Sequence, residues 1–266
     1  MAVDESLITA LASSPAVLDA RSFKSMAFLS DVHLQASEWH TFTAWAAYVS
    51  TVQADALFVL GDLFETWVGD DVLQDPNAEF ERGCLRQLHA VSQRMPVFWV
   101  AGNRDFLLGS AACAAAGMQA LNDPCVLQTT DGNWLLSHGD ALCLSDTEYL
   151  DFRRMVRAPE WQLNFLSRPL HDRLQMVQQM RAQSQARKAT QTVWADVDSQ
   201  AAIDWLNHHQ AKLLIHGHTH QAALHHLNDQ LLRYVLSDWE ANSQPPRLQA
   251  FEWHATGGFK RKSLTP

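Results

Sequence analysis

The residues best equipped for chemistry in this 266-residue chain fall into five short clusters. They are Asp31 with His33, Asp62, Asn103, His138, and His218 with His220. Asp-x-His and His-x-His each put two side chains on one side of an extended backbone, because alternate residues of such a backbone share a face. Together the clusters offer oxygens from two carboxylates and one amide, and four imidazoles. That is too many donors for one tetrahedral ion. It suits two divalent ions bridged by a carboxylate and about 4 Å apart. Such a pair lowers the pKa of a water between the ions and clamps the oxygens of a phosphorus centre, so the implied chemistry is hydrolysis at phosphorus. Mixed oxygen and nitrogen donors without thiolate favour manganese, iron or zinc over magnesium or calcium.

Each cluster alone is a weak signal. Gly61-Asp62 could be a turn, Gly102-Asn103 a helix cap, and His218 and His220 surface histidines like His208, His209, His225 and His226. What joins them is position. Each follows a short apolar run, at 26–29, 56–60, 97–101, 134–136 and 213–215, of the kind that forms a buried strand. Helical patterns lie between these runs at roughly 38–51, 78–94, 106–116 and 198–209. Alternating strands and helices predict a layered α/β fold, in which ligands collect beyond the carboxyl ends of the strands. One site assembled from five loops is the economical reading.

The rest of the chain is organised differently. Residues 1–24 read as an extension ahead of the first strand, and 25–266 as one domain. After about residue 222 the runs 224–227, 231–235 and 248–251 read as antiparallel strands. Their hairpin turns fall at Asn228-Asp229 and near Pro245-Pro246, and they would form a second sheet facing the first. Between about 147 and 190 there is no strand-like run. Leu163, Phe165, Leu166, Leu170, Leu174, Val177 and Met180 recur at roughly helical spacing, which predicts a helical insertion acting as a lid over the site.

Composition limits the partners. The chain is 47% hydrophobic, 18% charged and formally −9 with 13 histidines, so it can fill a core and is a poor default binder of nucleic acid. Within that acidic chain, residues 151–188 carry eight cations against three anions. A basic face of this kind is often simply solvated, and beside an apolar stripe it also suits an anionic amphiphile. Cys84, Cys113, Cys125 and Cys143 show no CxxC spacing and read as reduced, buried thiols of a cytoplasmic protein. Asp4 and Glu5 stand where a secretory signal would carry lysine or arginine. No apolar run approaches the ~20 residues of a membrane span.

Asp31-x-His33, Gly61-Asp62-x-x-Glu65, Gly102-Asn103-Arg104-Asp105, His138 and Gly217-His218-x-His220 resemble the calcineurin-like metallophosphoesterases over residues 26–220. The resemblance implies two facing mixed sheets flanked by helices. It would make Asp31, His33, Asp62 and His220 the ligands of one metal, and Asp62, Asn103, His138 and His218 those of the other. His216, just ahead of the last motif, reads as a packed or supporting histidine. Many members have a histidine that assists the leaving group where this chain has Arg104. A guanidinium is no general acid near neutral pH but binds phosphate bidentately. The site therefore suits a leaving group that needs no strong acid, such as a phosphate in a pyrophosphate.

Longer stretches, Gly61 to Asp71, Gly102 to Gly109, His138 to Cys143 with Asp146, Tyr149, Phe152 and Arg153, and Ile215 to His220, resemble one subfamily. It comprises the UDP-2,3-diacylglucosamine pyrophosphohydrolases of lipid A biosynthesis. The resemblance implies cleavage of that acylated UDP-glucosamine to UMP and 2,3-diacylglucosamine 1-phosphate (lipid X), two Mn2+ ions, and peripheral work on the cytoplasmic face of the inner membrane. No obligate protein partner is expected. Asp62, Asn103, Arg104 and His138 would be catalytic. Asn103, Arg104, Asp146 and His218 would contact substrate, as would Ser184, Lys188 and Gln191 of the insertion. In the subfamily's Ser-x-x-x-Asn-x-x-Lys stretch, Lys188 stands where asparagine is usual and Gln191 where lysine is usual. A general phosphodiesterase or nucleotide-sugar pyrophosphatase is the nearest rival. A non-catalytic scaffold is a more distant one, opposed by the complete ligand set.

Overall fold

The computed structural model describes residues 16–188 and 196–265. Two six-stranded mixed sheets face one another. The strands that precede the first three motifs, β2 (Ser25–Leu29), β3 (Ala56–Leu60) and β4 (Val97–Val100), lie side by side and parallel. With β5 (Met118–Leu121), β11 (Gln249–His254) and β12 (Gly258–Ser263) they form one sheet, ordered β12-β11-β2-β3-β4-β5. The other sheet is ordered β1-β6-β7-β8-β10-β9. Its members are β1 (Val17–Asp19), β6 (Cys125–Thr129), β7 (Gly132–Leu136), β8 (Ala211–His216), β9 (Leu224–His226) and β10 (Leu232–Val235).

The central strands are apolar without alternation because both of their faces are covered. Phe28, Phe58, Leu60, Phe98 and Val100 meet Trp134, Leu136 and Ile215 of the opposite sheet in the layer between the sheets. The intervening residues Ala27, Leu29, Leu57, Val59 and Trp99 turn outward. They pack beneath α1 (Trp39–Thr51), α2 (Glu79–Ser92) and α3 (Ser110–Ala116). On the far side α7 (Ser199–His208) covers Leu135 and Leu214 through Ala202 and Leu206. Asp198 caps α7 by accepting the Ala201 amide at 2.8 Å.

Three details depart from the sequence reading. The first strand comes earlier than expected, since Val17–Asp19 pairs in parallel with β6. The helix expected over 106–116 begins only at Ser110. The carboxylate of Asp70 accepts the amides of Gly109 and Ala112 at 2.9 and 3.0 Å and fixes that start from outside the helix. The strands after residue 222 do not form a sheet of their own. β9 and β10 pair as a hairpin about Asn228-Asp229 and extend the β7-β8 sheet. β11 pairs with β2 in the other sheet, so the Pro245-Pro246 segment crosses between sheets, and β11 turns into β12 instead. Alternating hydrophobicity marks a strand but not its partner, which is settled by which sheet edge lies open.

The insertion is helical: α4 (Thr147–Arg157), α5 (Pro159–Leu166) and α6 (Leu170–Lys188). Phe165, Leu166, Leu170, Leu174 and Val177 pack onto the outer layer of the β2-β3-β4 sheet. Arg173 anchors α6. Its guanidinium is 1% exposed, bonds the carbonyls of Val68 and Arg168, and pairs with Asp71. None of the helices among the described residues is long and apolar enough to cross a membrane.

Candidate metal centre

Each motif sits just past the carboxyl end of its strand, where the backbone is forced into an unusual shape. Among the described residues six non-glycine residues have positive φ, and five of them are Asp31, His33, Asp62, His218 and His220, at 51° to 65°. Left-handed backbone is disfavoured for residues with a Cβ by roughly 1–2 kcal/mol, so it persists only where the surroundings over-determine it. Here the backbone is pinned. The Asp31 amide donates to the Gly61 carbonyl at 3.1 Å, His33 to Asp62 at 3.0 Å, and Gly217 to His138 at 3.0 Å. Glycine makes the close approach workable. At Gly61, φ is +85° and a Cβ would collide with the His138 ring and with Gly102, only 2.7 Å from the latter's Cα.

Several of the donors lie close together. One oxygen or nitrogen each from Asp31, His33 and His220 lies within 4.8 Å of the others, and the same holds for Asp31, Asp62 and His138. Asp31 and Asp62 are 0% and 2% exposed. His138 directs Nδ1 at the Leu60 carbonyl, 3.0 Å away. The other ring nitrogen, Nε2, faces the pocket, 3.0 Å from Asn103 Oδ1 and 3.7 Å from Asp62 Oδ1. His218 Nδ1 approaches the same Asn103 oxygen at 2.9 Å. Two ring nitrogens thus converge on one amide oxygen beside two buried carboxylates, a donor set that a cation would satisfy. Asp31 Oδ1 and both ring nitrogens of His33 lack an aligned hydrogen bond among the described residues, which leaves Asp31 Oδ1 and His33 Nε2 open toward the centre. The residues therefore fit divalent metal.

The electrostatics agree. Burial opposes charge on His138, but Asp62, Asp31 and Asp140 outweigh it and push the imidazole up to about 9. Burial and the His138 charge push the neighbouring His218 down to about 3. Burial works against ionisation of Asp31, yet the His220 imidazole 3.3 Å away and the other histidines around it hold its carboxyl far below the usual range. A pocket that draws a proton onto one imidazole and expels it from the next is short of positive charge.

Supporting side chains aim the ligands, and sequence reasoning assigned them no role. His33 Nδ1 rests 2.8 Å from Glu65 Oε2, and His220 Nδ1 3.5 Å from Asp238 Oδ2. In each case the carboxylate lies on the Nδ1 side and Nε2 faces the centre, the sense in which a carboxylate beside a ligand histidine orients it. Buried Asp105 accepts the amides of Leu63 at 2.7 Å, Gly102 at 2.9 Å and Asp62 at 3.3 Å, tying two motif loops together. Burial and the Asp62 charge push its carboxyl up to about 6. Tyr149 stacks on His218 with ring centroids 5.8 Å apart and donates to Asp140 at 2.5 Å. Asp140 also takes Arg153 at 2.9 Å. Glu65 and Asp105 lie inside the quoted motifs, and Asp238 follows the end of β10. The strand-end rule applied to that sixth strand would have found Asp238.

The remaining expected site residues divide. The Arg104 amide donates to Asp62 Oδ1 at 2.8 Å, and its guanidinium, 29% exposed, sits 3.5 Å from Glu65 and 4.0 Å from Asp62 at the rim. Asp146 caps α4 by accepting the Tyr149 amide at 3.1 Å, beside the ring that stacks on His218. Ser184 and Lys188 lie toward the end of α6. Gln191 lies outside the described residues.

Two facing mixed sheets with this donor set define a dimetal phosphoesterase, and the chain belongs to the calcineurin-like phosphoesterase family, whose model matches residues 25–222. More narrowly, it is 36% identical over 243 residues to the UDP-2,3-diacylglucosamine hydrolase of Chromohalobacter salexigens, covering 85% of this chain and 97% of that one. It is 40% identical over 223 residues to the protein of the same name from Aeromonas hydrophila, covering 81% and 90%. A dimetal phosphatase from Danio rerio shares the fold at a TM-score of 0.51 and 13% identity, over 91% of this chain and 96% of that one.

Proposed function

We propose that the chain hydrolyses the pyrophosphate bond of UDP-2,3-diacylglucosamine to UMP and 2,3-diacylglucosamine 1-phosphate, a step of lipid A biosynthesis. The observation that carries this is the buried pocket where Asp31, His33, Asp62, Asn103, His138, His218 and His220 converge, with Arg104 at its rim. Over most of the chain it is similar to curated proteins named for that hydrolysis.

Asp31, His33, Asp62 and His220 would hold one divalent ion, and Asp62, Asn103, His138 and His218 the other. Such a pair supplies Lewis acidity, making water a usable nucleophile near neutral pH and offsetting charge on phosphorus oxygens. The mixed oxygen and nitrogen, thiolate-free donor set accommodates manganese, iron or zinc, and the resemblance to the subfamily favours manganese among them. Arg104 binds the pyrophosphate oxygens with its fork of N–H donors and steadies the charge that grows on them. It keeps its proton throughout, which a phosphate leaving group tolerates. Asn103 contributes amide donors beside the same oxygens.

Residues 25–266 form the catalytic domain, and the insertion at about 147–190 serves as a lid for the acylated sugar. Asp146, Ser184, Lys188 and Gln191 are the candidate headgroup contacts. The basic excess of the insertion and the exposed Leu144, Phe152 and Met155 support a peripheral position on the cytoplasmic face of the inner membrane. The test is mass analysis of products from the acylated UDP-sugar with Mn2+ in oxygen-18 water. One label should appear, in UMP or in the sugar phosphate, and should vanish with Asp62→Ala. Unchanged turnover by Asp62→Ala would refute the two-metal reading.

A further inference from the structure

We propose that Glu65 is a positioning residue that couples helix α6 of the insertion to the metal ligand His33. Its two carboxylate oxygens have separate partners. Oε2 lies 2.8 Å from His33 Nδ1, within ion-pair range, while Oε1 takes Arg181 of α6 and, at 3.5 Å, Arg104. Arg181 also donates to the hydroxyl of the neighbouring Thr66. The site and the helix that packs beside it therefore meet on one side chain.

The geometry is unlike a casual surface pair. Glu65 and Arg181 are only 20% and 24% exposed, and His33 17%, so solvent screens the chain of contacts weakly. Eight residues earlier α6 is fixed by buried Arg173, which reaches Val68 and Asp71 of the same loop that bears Glu65. The first half of α6 is thus pinned and Arg181 is the grip nearest the metal pocket. With Arg181 engaged, the carboxylate is held in the one orientation that keeps Oε2 on His33 Nδ1 and Nε2 toward Asp31 and Asp62, 3.9 and 4.0 Å away. Without that grip only the longer Arg104 contact, 3.5 Å, restrains Oε1, and the carboxylate beside His33 is held less firmly. Because binding couplings are reciprocal, whatever α6 adds to metal affinity the metal must add to the docking of α6.

The inference rests on the proposed function only for metal at His33, so it is tested without substrate. Mn2+ is titrated into chelator-treated protein, with free ion followed by electron paramagnetic resonance. Loss of a carboxylate that orients a ligand histidine weakens metal roughly 10–100-fold, and Glu65→Ala should do so. Glu65→Gln keeps an oxygen for Nδ1–H but no charge for Arg181, and should fall between Glu65→Ala and wild type. Arg181→Ala should weaken Mn2+ by less than Glu65→Ala, and the double variant no more than Glu65→Ala alone, since both act through one path. Urea midpoints taken without metal separate these effects from loss of fold.

Hydrogen exchange supplies the reciprocal readout. Mn2+ should slow exchange over residues 173–182 in wild type and not in Glu65→Ala. Mn2+ affinity of Glu65→Ala within twofold of wild type, or α6 exchange indifferent to Mn2+, would overturn the coupling. Failure of the acylated UDP-sugar as a substrate would count against the functional proposal and leave these outcomes untouched.

Discussion

Gly61→Ala tests whether the metal loops are crowded to the limit. Gly61 has φ +85°, and a Cβ there would fall into the His138 ring on one side and onto Gly102, 2.7 Å from its Cα, on the other. Two effects add. The left-handed backbone penalises a Cβ by roughly 1–2 kcal/mol. Overpacking adds about 1–3 kcal/mol, because one neighbour is backbone and the other is an imidazole held by the Leu60 carbonyl. The expected loss is therefore about 2–5 kcal/mol in metal-free protein. Gly258 provides the control: its φ is +66° and a Cβ there meets nothing within 4 Å, so Gly258→Ala should lose only the backbone part, about 1–2 kcal/mol. Urea denaturation at matched m-values measures both, and Mn2+ titration of the folded variants should show weaker binding only for Gly61→Ala. Equal destabilisation of the two variants would refute the crowding argument. Undiminished Mn2+ affinity in Gly61→Ala would show that His138 has room the structure denies it.

Other consequences can be checked directly. Arg104→Lys keeps the charge and loses the bidentate fork, so kcat/KM for the acylated UDP-sugar should fall about 10–100-fold, and Arg104→His should not restore it. His216 is fully buried, and burial together with Arg233 pushes its imidazole from 6.5 to about 4. A folded-state value below the unfolded one gives stability that is present above pH 6.5 and lost as pH falls toward 4. Between pH 7 and pH 5 the wild type should therefore lose about 2 kcal/mol more than His216→Gln in urea titrations. Cys113, Cys125 and Cys143 are buried thiols pushed up to about 12, and Cys84 is raised as well. With so little thiolate, Ellman's reagent at pH 8 should titrate none of the four until urea unfolds the chain.

The sequence by itself determined the chemistry and much of the frame. Donor identity is local, and so is the hydrophobic run that makes a buried strand. Asp31, His33, Asp62, Asn103, His138, His218 and His220 could therefore be placed at strand ends without coordinates, and the structure brings those ends together. Residues 147–190 read as helical for the same reason, and α4, α5 and α6 fill them as far as Lys188. Tertiary structure decided what depends on distant partners. Periodicity could not say that β9 and β10 extend one sheet while β11 joins the other, because strand pairing follows open edges far away in sequence. Nor could it say that Glu65 and Asp238 would hold the outer nitrogens of His33 and His220, or that Arg181 would reach Glu65 across 116 residues. The left-handed backbone at five ligands belongs here too. Nothing in Asp or His demands it; it arises because loops from two sheets must bring their donors within a few ångströms of common points, and the surrounding hydrogen bonds hold it there.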